Sequence, residues 1–362
     1  MEGGGGSGGR SPGPRPALAL RGALMAAGGG SRFLAARYRE LGDDSLFVYD
    51  CINAEKKTLG NKGQDGKQTD KGSDDILAFA LSPSGDYFAL TDDSKRLILF
   101  RTTPSWECVS VRSVNRRCTS LIITAADDKI LVADKSGDLY SYSITEPQAD
   151  GKLELGHLSL LLDVDSTLRL WEYKSGEEVH CCHLSSICGP ETTKTDQKYP
   201  VSRITYCCQG GYVAVLCDSI STVCIFQLDA IAQQLVYRQQ ISSKHKVWDI
   251  AFEETGDLWI LQEDKEAPLQ LYRPCDEQWK EVTDDKGLQK MSKYLQDNWT
   301  VFEGFVGTES HYSSLYKASF DKAATYLEKQ EEKLQQQKKK RKELQRASNG
   351  QTKKMKCEEP SL

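Results

Sequence analysis

One pattern constrains this chain more than any other: strand, tight turn, apolar strand, acidic turn, alternating strand, repeated through its middle. It is carried by FALSPSGDYFALTDDSKRLILFRT (79–102), IITAADDKILVADKSGDLYSYSIT (122–145), TYCCQGGYVAVLCDSISTVCIFQLD (205–229) and AFEETGDLWILQEDKEAPLQLYRP (251–274). The acidic turn residue falls at Asp92, Asp134, Asp218 and Glu263, at intervals of 42, 84 and 45 residues, which are one, two and one periods. A period of about 40–45 residues with this strand content is that of a four-stranded propeller blade. A fourth strand follows the unit in Trp106–Val111, Leu235–Arg238 and Trp279–Val282. A sheet with two apolar faces cannot stand alone, whereas radial stacking covers each face with a neighbour. The expected fold is therefore all-β, a WD-repeat β-propeller over residues 31–311.

The signature that gives such repeats their name stands in its usual place once, as Gly156-His157 followed by Leu168-Arg169-Leu170-Trp171-Glu172-Tyr173. Val247-Trp248-Asp249 falls on a first strand instead. Only LSLLLDVDST separates His157 from Leu168. Those ten residues hold one strand where two strands and their turns are needed. A truncated blade is expected near 158–168, from a lost second strand or from the absence of one repeat and more. Third strands at Leu97, Leu139, Leu168, Val223 and Leu269, with Ser45–Cys51 as a candidate ring-closing strand, supply five to six blades' worth of sequence.

The ends differ from the body. Residues 1–30 are rich in Gly, Pro, Ser and Ala without a sustained apolar period, and they read as a disordered leader. Six arginines without an acid between Glu2 and Glu40 give this end a composition like that of a transit peptide. Residues 312–346 lack Gly and Pro and predict a helix, and 347–362 a disordered basic tail. The formal net charge of −5 conceals a split: Asp321–Lys356 holds twelve Lys/Arg against five acids, an excess of +7, which leaves −12 on the rest. Lys338, Lys339, Lys340, Arg341 and Lys342, followed by Lys353, Lys354 and Lys356, form two basic clusters expected to act as a nuclear localisation signal. No apolar run reaches the length of a membrane helix, so no membrane partner is expected. Twelve cysteines without a Cys-x-x-Cys pair suit a reducing compartment.

Catalytic chemistry is not expected. In His180-Cys181-Cys182-His183 adjacent strand residues point to opposite faces, so the four cannot converge on a metal, and Cys207-Cys208 is read the same way. His157 with Ser159 and Asp163 resembles a triad in composition only, because a turn histidine and acidic tips hold blade loops together. The pairs Asp43-Asp44, Asp92-Asp93 and Asp127-Asp128 fit turns. No catalytic, cofactor-binding or metal residue is assigned, and no cofactor. What remains is surface charge: Lys95, Arg96, Arg116, Arg117 and Lys135 sit at expected blade tips of an acidic body, where propellers present partner contacts.

Beyond the generic repeat, GGGSRFLA (28–35), DDSLFVYDC (43–51), YFALTDDSKRLILFRT (87–102), LVADKSGDLYSYS (131–143), LELGHLSLLLDV (153–164), QQLVYRQQ (233–240), VWDIAFEE (247–254) and SSLYKASFD (313–321) closely resemble the vertebrate WD-repeat non-catalytic subunits of tRNA (guanine-N(7)-)-methyltransferase. The resemblance implies a seven-bladed nuclear propeller that docks and stabilises a separate catalytic subunit and helps hold tRNA for 7-methylguanosine formation. In that family further strands follow the position of Val164, in blades that contribute to docking, and no residues here match them. The alternative function is a general WD-repeat adaptor, for example in a ubiquitin-ligase complex. That role favours Arg shortly after the Trp pair, where Trp171-Glu172-Tyr173-Lys174 offers Lys.

Overall fold

The computed structural model describes residues 15–40, 42, 45–54, 73–134, 138–155, 167–171, 177–188, 200–218, 221–275 and 278–308. Among these lie six antiparallel sheets, each built from consecutive strands. Sheet 1 comprises β1 (Ala17–Arg21), β2 (Leu24–Gly29), β3 (Arg32–Arg37) and β4 (Leu46–Asp50). Sheet 2 comprises β5 (Ile76–Leu81), β6 (Tyr87–Asp92), β7 (Arg96–Arg101) and β8 (Glu107–Ser113). Sheet 3 comprises β9 (Cys118–Ile123), β10 (Lys129–Asp134), β11 (Leu139–Ser143) and β12 (Lys152–Leu155). Sheet 4 pairs only β13 (Thr167–Trp171) with β14 (Glu178–His183), followed by the short helix α1 (Leu184–Cys188). Sheet 5 comprises β15 (Val201–Cys207), β16 (Tyr212–Cys217), β17 (Thr222–Asp229) and β18 (Gln234–Ser242). Sheet 6 comprises β19 (Val247–Phe252), β20 (Leu258–Gln262), β21 (Leu269–Cys275) and β22 (Gln278–Glu281), and the helix α2 (Lys286–Asp297) follows it.

The period read from the acidic turns is thus the period of the sheets, and the fold is the expected blade architecture. Alternation explains the packing: one set of side chains on each strand meets the preceding sheet and the other set meets the next. Phe33 of sheet 1 lies 4.6 Å, ring centre to ring centre, from Phe88 of sheet 2. Ala89, Leu97 and Leu99 of sheet 2 share a core with Ile130, Val132 and Tyr142 of sheet 3. Leu168 of sheet 4 packs with Val215 and Phe226 of sheet 5, and Ile225 of sheet 5 with Ile250 and Ile260 of sheet 6. Leu18, Met25 and Leu34 of sheet 1 meet Trp248, Trp259 and Leu271 of sheet 6 together with Met291 and Leu295 of α2. At about 1.5–3 kcal/mol for each large apolar side chain removed from water, these interfaces dominate the stability.

Asp249 draws three first strands together on the inner side. Its Oδ2 accepts the Leu18 N–H of β1 at 2.8 Å and its Oδ1 lies 3.1 Å from the Arg203 guanidinium of β15, while its own strand is β19.

Three expectations need correction. The leader was expected to be disordered through residue 30, yet Ala17–Arg21 and Leu24–Gly29 are strands of sheet 1; residues 1–14 lie outside the described residues. Small residues that look like low complexity are here a packing requirement. Met25, Ala26 and Ala27 are wholly buried, and a Cβ on Gly28 would stand 2.8 Å from the Phe33 Cβ. Ser45–Cys51, expected as a ring-closing strand, supplies β4 of that same first sheet, because β1 and β2 leave its outer position to be filled. Within the stretch assigned to strands up to 311, residues 286–297 form α2. Asp285 caps it, its Oδ1 accepting the Leu288 N–H at 2.9 Å, and Leu288, Met291 and Leu295 make one buried stripe. The helix expected over 312–346, the tail 347–362, and most of the truncated segment near 158–168 lie outside the described residues.

Candidate functional site

Lys95, Arg116 and Arg117 share one rim, where the β6–β7 turn meets the β8–β9 loop. The turn is tight: Lys95 takes φ +62°, its N–H bonds the Asp92 carbonyl at 3.1 Å, and its carbonyl accepts the Val114 N–H at 2.9 Å. That last bond fastens the two loops together. The Lys95 side chain is exposed.

Arg96 is not a surface residue and is withdrawn as a partner contact. It is 5% exposed, and its guanidinium reaches Asp92 Oδ2 at 2.7 Å, Asp74 Oδ1 at 2.8 Å and the Cys51 carbonyl at 2.8 Å. It clamps the end of sheet 1 onto sheet 2. Asp92 also accepts the Arg96 N–H at 2.9 Å. Burial pushes the Asp92 carboxyl up from its ordinary value, and the contacts with Arg96 pull the other way. A basic residue after an acidic turn is equally compatible with solvent and with this clamp.

Arg116 and Arg117 stay on the rim, and both are paired. The Arg117 Nε stands 2.5 Å from Asp93 Oδ1, across to the β6–β7 turn. Arg116 bonds Asp138 Oδ2 at 2.8 Å and lies 3.6 Å from Asp134 Oδ2, with its side chain 46% exposed. The rim is therefore a mosaic in which acids about twenty residues away in sequence answer the cations. Lys135 and the basic clusters at 338–342, 353, 354 and 356 lie outside the described residues.

The rejected metal motif is strand β14. His180 Nδ1 accepts the Leu235 N–H at 3.3 Å and lies 3.6 Å from Cys182 Sγ, so this ring serves the contact with sheet 5. Cys207 is buried and Cys208 exposed, as alternation on a strand end requires. Among the carboxylate pairs, Asp128 Oδ1 accepts the Thr124 hydroxyl at 2.6 Å within its turn. His157, Ser159, Asp163, Asp43 and Asp44 lie outside the described residues.

Residues 50–157, which hold sheets 2 and 3 and this rim, match the family model described as the tRNA methyltransferase TRM82 WD40 domain. Over 370 aligned residues the chain is 48% identical to the human tRNA (guanine-N(7)-)-methyltransferase non-catalytic subunit WDR4, covering 86% of this chain and 89% of the human one. The mouse protein of the same description is 44% identical, with 87% and 90% covered, and the zebrafish one 36%, with 80% and 85%. The human alignment is longer than this chain can fill: 86% of 362 residues is about 311, so about 59 of the 370 aligned positions have no residue here. With the blade architecture, the matched model and identity of this extent together, the chain belongs to the family of tRNA (guanine-N(7)-)-methyltransferase non-catalytic subunits.

Proposed function

We propose that this chain is the accessory, non-enzymatic subunit of a tRNA 7-methylguanosine methyltransferase, holding a separate catalytic subunit and helping that subunit meet tRNA. The observation that carries the reading is the match over 86% of this chain to a relative whose description is that of a non-catalytic subunit. A subunit so described needs a catalytic partner, and a rigid stack of sheets with a charged rim is a surface suited to one. The relatives' descriptions favour this role over a general adaptor.

The rim of sheets 2 and 3 is the proposed contact, through Lys95, Arg116, Arg117 and Lys135. The interspersed Asp93 and Asp138 suit a protein surface of mixed charge better than a bare phosphate backbone. Contact with tRNA is proposed to occur through the assembled complex. Nuclear import through Lys338–Lys342, Lys353, Lys354 and Lys356 completes the proposal. Among the described residues no helix is long and apolar enough to cross a membrane, and no membrane contact is part of the reading.

Co-expression with the catalytic subunit tests it. The two chains are expected to co-elute on size exclusion, and the pair to restore 7-methylguanosine to tRNA from cells lacking the endogenous accessory subunit. The double reversal Lys95→Glu, Arg116→Glu is expected to weaken complex formation at least about tenfold, the loss of two rim contacts. A stable, methyltransferase-free chain under these conditions would overturn the reading.

A further inference from the structure

Two arginines of sheet 2 are buried to the same degree, each 5% exposed, and they are answered differently. Every guanidinium nitrogen of Arg96 on β7 has a partner: Nε donates to Asp92, Nη1 to the Ala54 carbonyl, and Nη2 to the Cys51 carbonyl and to Asp74. Two carboxylates thus balance that charge. Arg112 on β8 donates from Nη1 to the Ser143 carbonyl of β11 at 2.8 Å, and its guanidinium lies 5.4 Å over the Tyr142 ring. Its Nε and Nη2 are buried without a hydrogen-bond partner, and so is the Oγ of Ser110, two residues earlier. Among the described residues no carboxylate pairs with Arg112; burial lowers its pKa from the ordinary value, and only Tyr142 opposes that.

The register explains why these donors share one place. Across the β7–β8 pairing Ser110 stands opposite Leu99 and Arg112 opposite Leu97. Alternation therefore sets both on the side of sheet 2 where Leu97 and Leu99 meet Ile130, Val132 and Tyr142 of sheet 3. Tyr142 is held firmly below the guanidinium, since a Cβ on Gly151 would collide with its ring. A cation taken out of water between two sheets is costly until its N–H groups meet acceptors. Nε and Nη2 form one edge of the planar guanidinium, and two parallel donors on such an edge match the two oxygens of a carboxylate. Ser110 adds a hydroxyl donor from the same face. Both side chains are 5% exposed, so the acceptor that fits them is small and travels free.

We propose that Arg112 and Ser110 form a binding site for a small planar oxyanion, of the size of formate or hydrogencarbonate, between sheets 2 and 3. Arg112 grips both oxygens through Nε and Nη2, and Ser110 donates to one of them. The ion does for Arg112 what Asp92 and Asp74 do for Arg96. It ties β8 to the end of β11 that carries Tyr142 and Ser143.

The test uses the full chain with sodium formate as probe, sodium chloride keeping the ionic strength constant, and thermal unfolding as the readout. The expected result is a saturable rise of the parent's unfolding midpoint, by about 3 °C at saturating formate. Arg112→Met preserves most of the side chain's length and removes its charge. It is expected to abolish the rise, while its own midpoint without formate equals or exceeds the parent's, because the buried cation is gone. Arg112→Lys keeps the charge without the fork and is expected to lose most of the rise, so either variant decides the matter if the other fails to fold. Ser110→Ala is expected to weaken formate binding about tenfold. Three outcomes overturn the proposal: a parent midpoint indifferent to formate, a rise that grows with formate and never saturates, or an equal rise in Arg112→Met. No catalytic subunit is present in the experiment, so its failure leaves the accessory role untouched.

Discussion

The junction of sheet 1 with sheet 6 and the junction of sheet 3 with sheet 4 teach opposite lessons about how a stacked ring is held. At the first, α2 and the residues after it lie over both sheets. Trp248 stacks on Trp299 at 5.6 Å and on Phe302 at 5.7 Å. A Cβ on Gly29 would meet the Phe305 ring at 2.9 Å, so the cover sits directly on sheet 1. Polar groups add to it. Arg39 bonds Glu253 at 2.6 Å and Asp285 at 3.0 Å, and the Trp259 Nε1–H donates to Glu253 at 3.1 Å. Burial first, then the Glu253 carboxylate, raises the Tyr38 phenol well above its ordinary value, and Tyr38 packs edge-on to Trp259 at 5.2 Å. At the second junction the described faces end in half-exposed Ile122, Ile204 and Tyr206. Among the described residues, what sets the first seam apart is the layer that α2 and residues 298–308 lay across it.

This contrast can be broken by mutation. Trp259→Ala, at a wholly buried position in the covered seam, is expected to cost about 3–5 kcal/mol, read as a fall in the urea midpoint. Asp249→Ala, which removes the acceptor tying β1 and β15 to β19, is expected to cost about 2–3 kcal/mol by the same measurement.

A smaller, pH-dependent effect belongs to Asp50 on sheet 1. Burial alone would raise its carboxyl. Bonds from Arg32 at 2.7 Å, the Ile52 N–H at 3.0 Å and the Ser31 hydroxyl at 2.8 Å outweigh that and hold it below 3.8. A depressed carboxylate stabilises the fold above its unfolded value and stops doing so as pH falls through its folded value. The parent is therefore expected to lose up to about 1 kcal/mol relative to Asp50→Asn between pH 4 and pH 2, in paired urea titrations. Smallest of all, Ile122→Ser on the exposed side of β9 is expected to lie within about 0.5 kcal/mol of the parent. A cost above about 2 kcal/mol there would show that the seam is packed and would erase the contrast.

How far the sequence could be read follows from what each signal measures. The acidic turns at Asp92 and Asp134 exposed the period of sheets 2 and 3, because turn chemistry and alternation are local. Sheet 1 was half lost, since its Ala and Gly residues carry no apolar period of their own and make sense only against Phe33 and Phe305. The α2 stripe of Leu288, Met291 and Leu295 behind Asp285 was legible, and the expectation of strands overrode it. At the rim, sequence marked where cations sit. It did not mark Asp93 as the partner of Arg117 or Asp74 as the partner of Arg96, because pairing across loops is set by tertiary contact.

Each sheet is built from strands that follow one another, so none waits for the far end of the chain to supply a missing member. The first sheet nevertheless depends on the last, since the Leu18 N–H bonds an acceptor 231 residues later. At a synthesis rate of about 5–20 residues per second, the nascent first sheet stands with Leu18 and Met25 bare for roughly 10–50 s before its cover emerges from the ribosome. That interval makes the newborn amino-terminal sheet a natural client for chaperones, and it ties correct maturation of the whole ring to the arrival of residues 286–308.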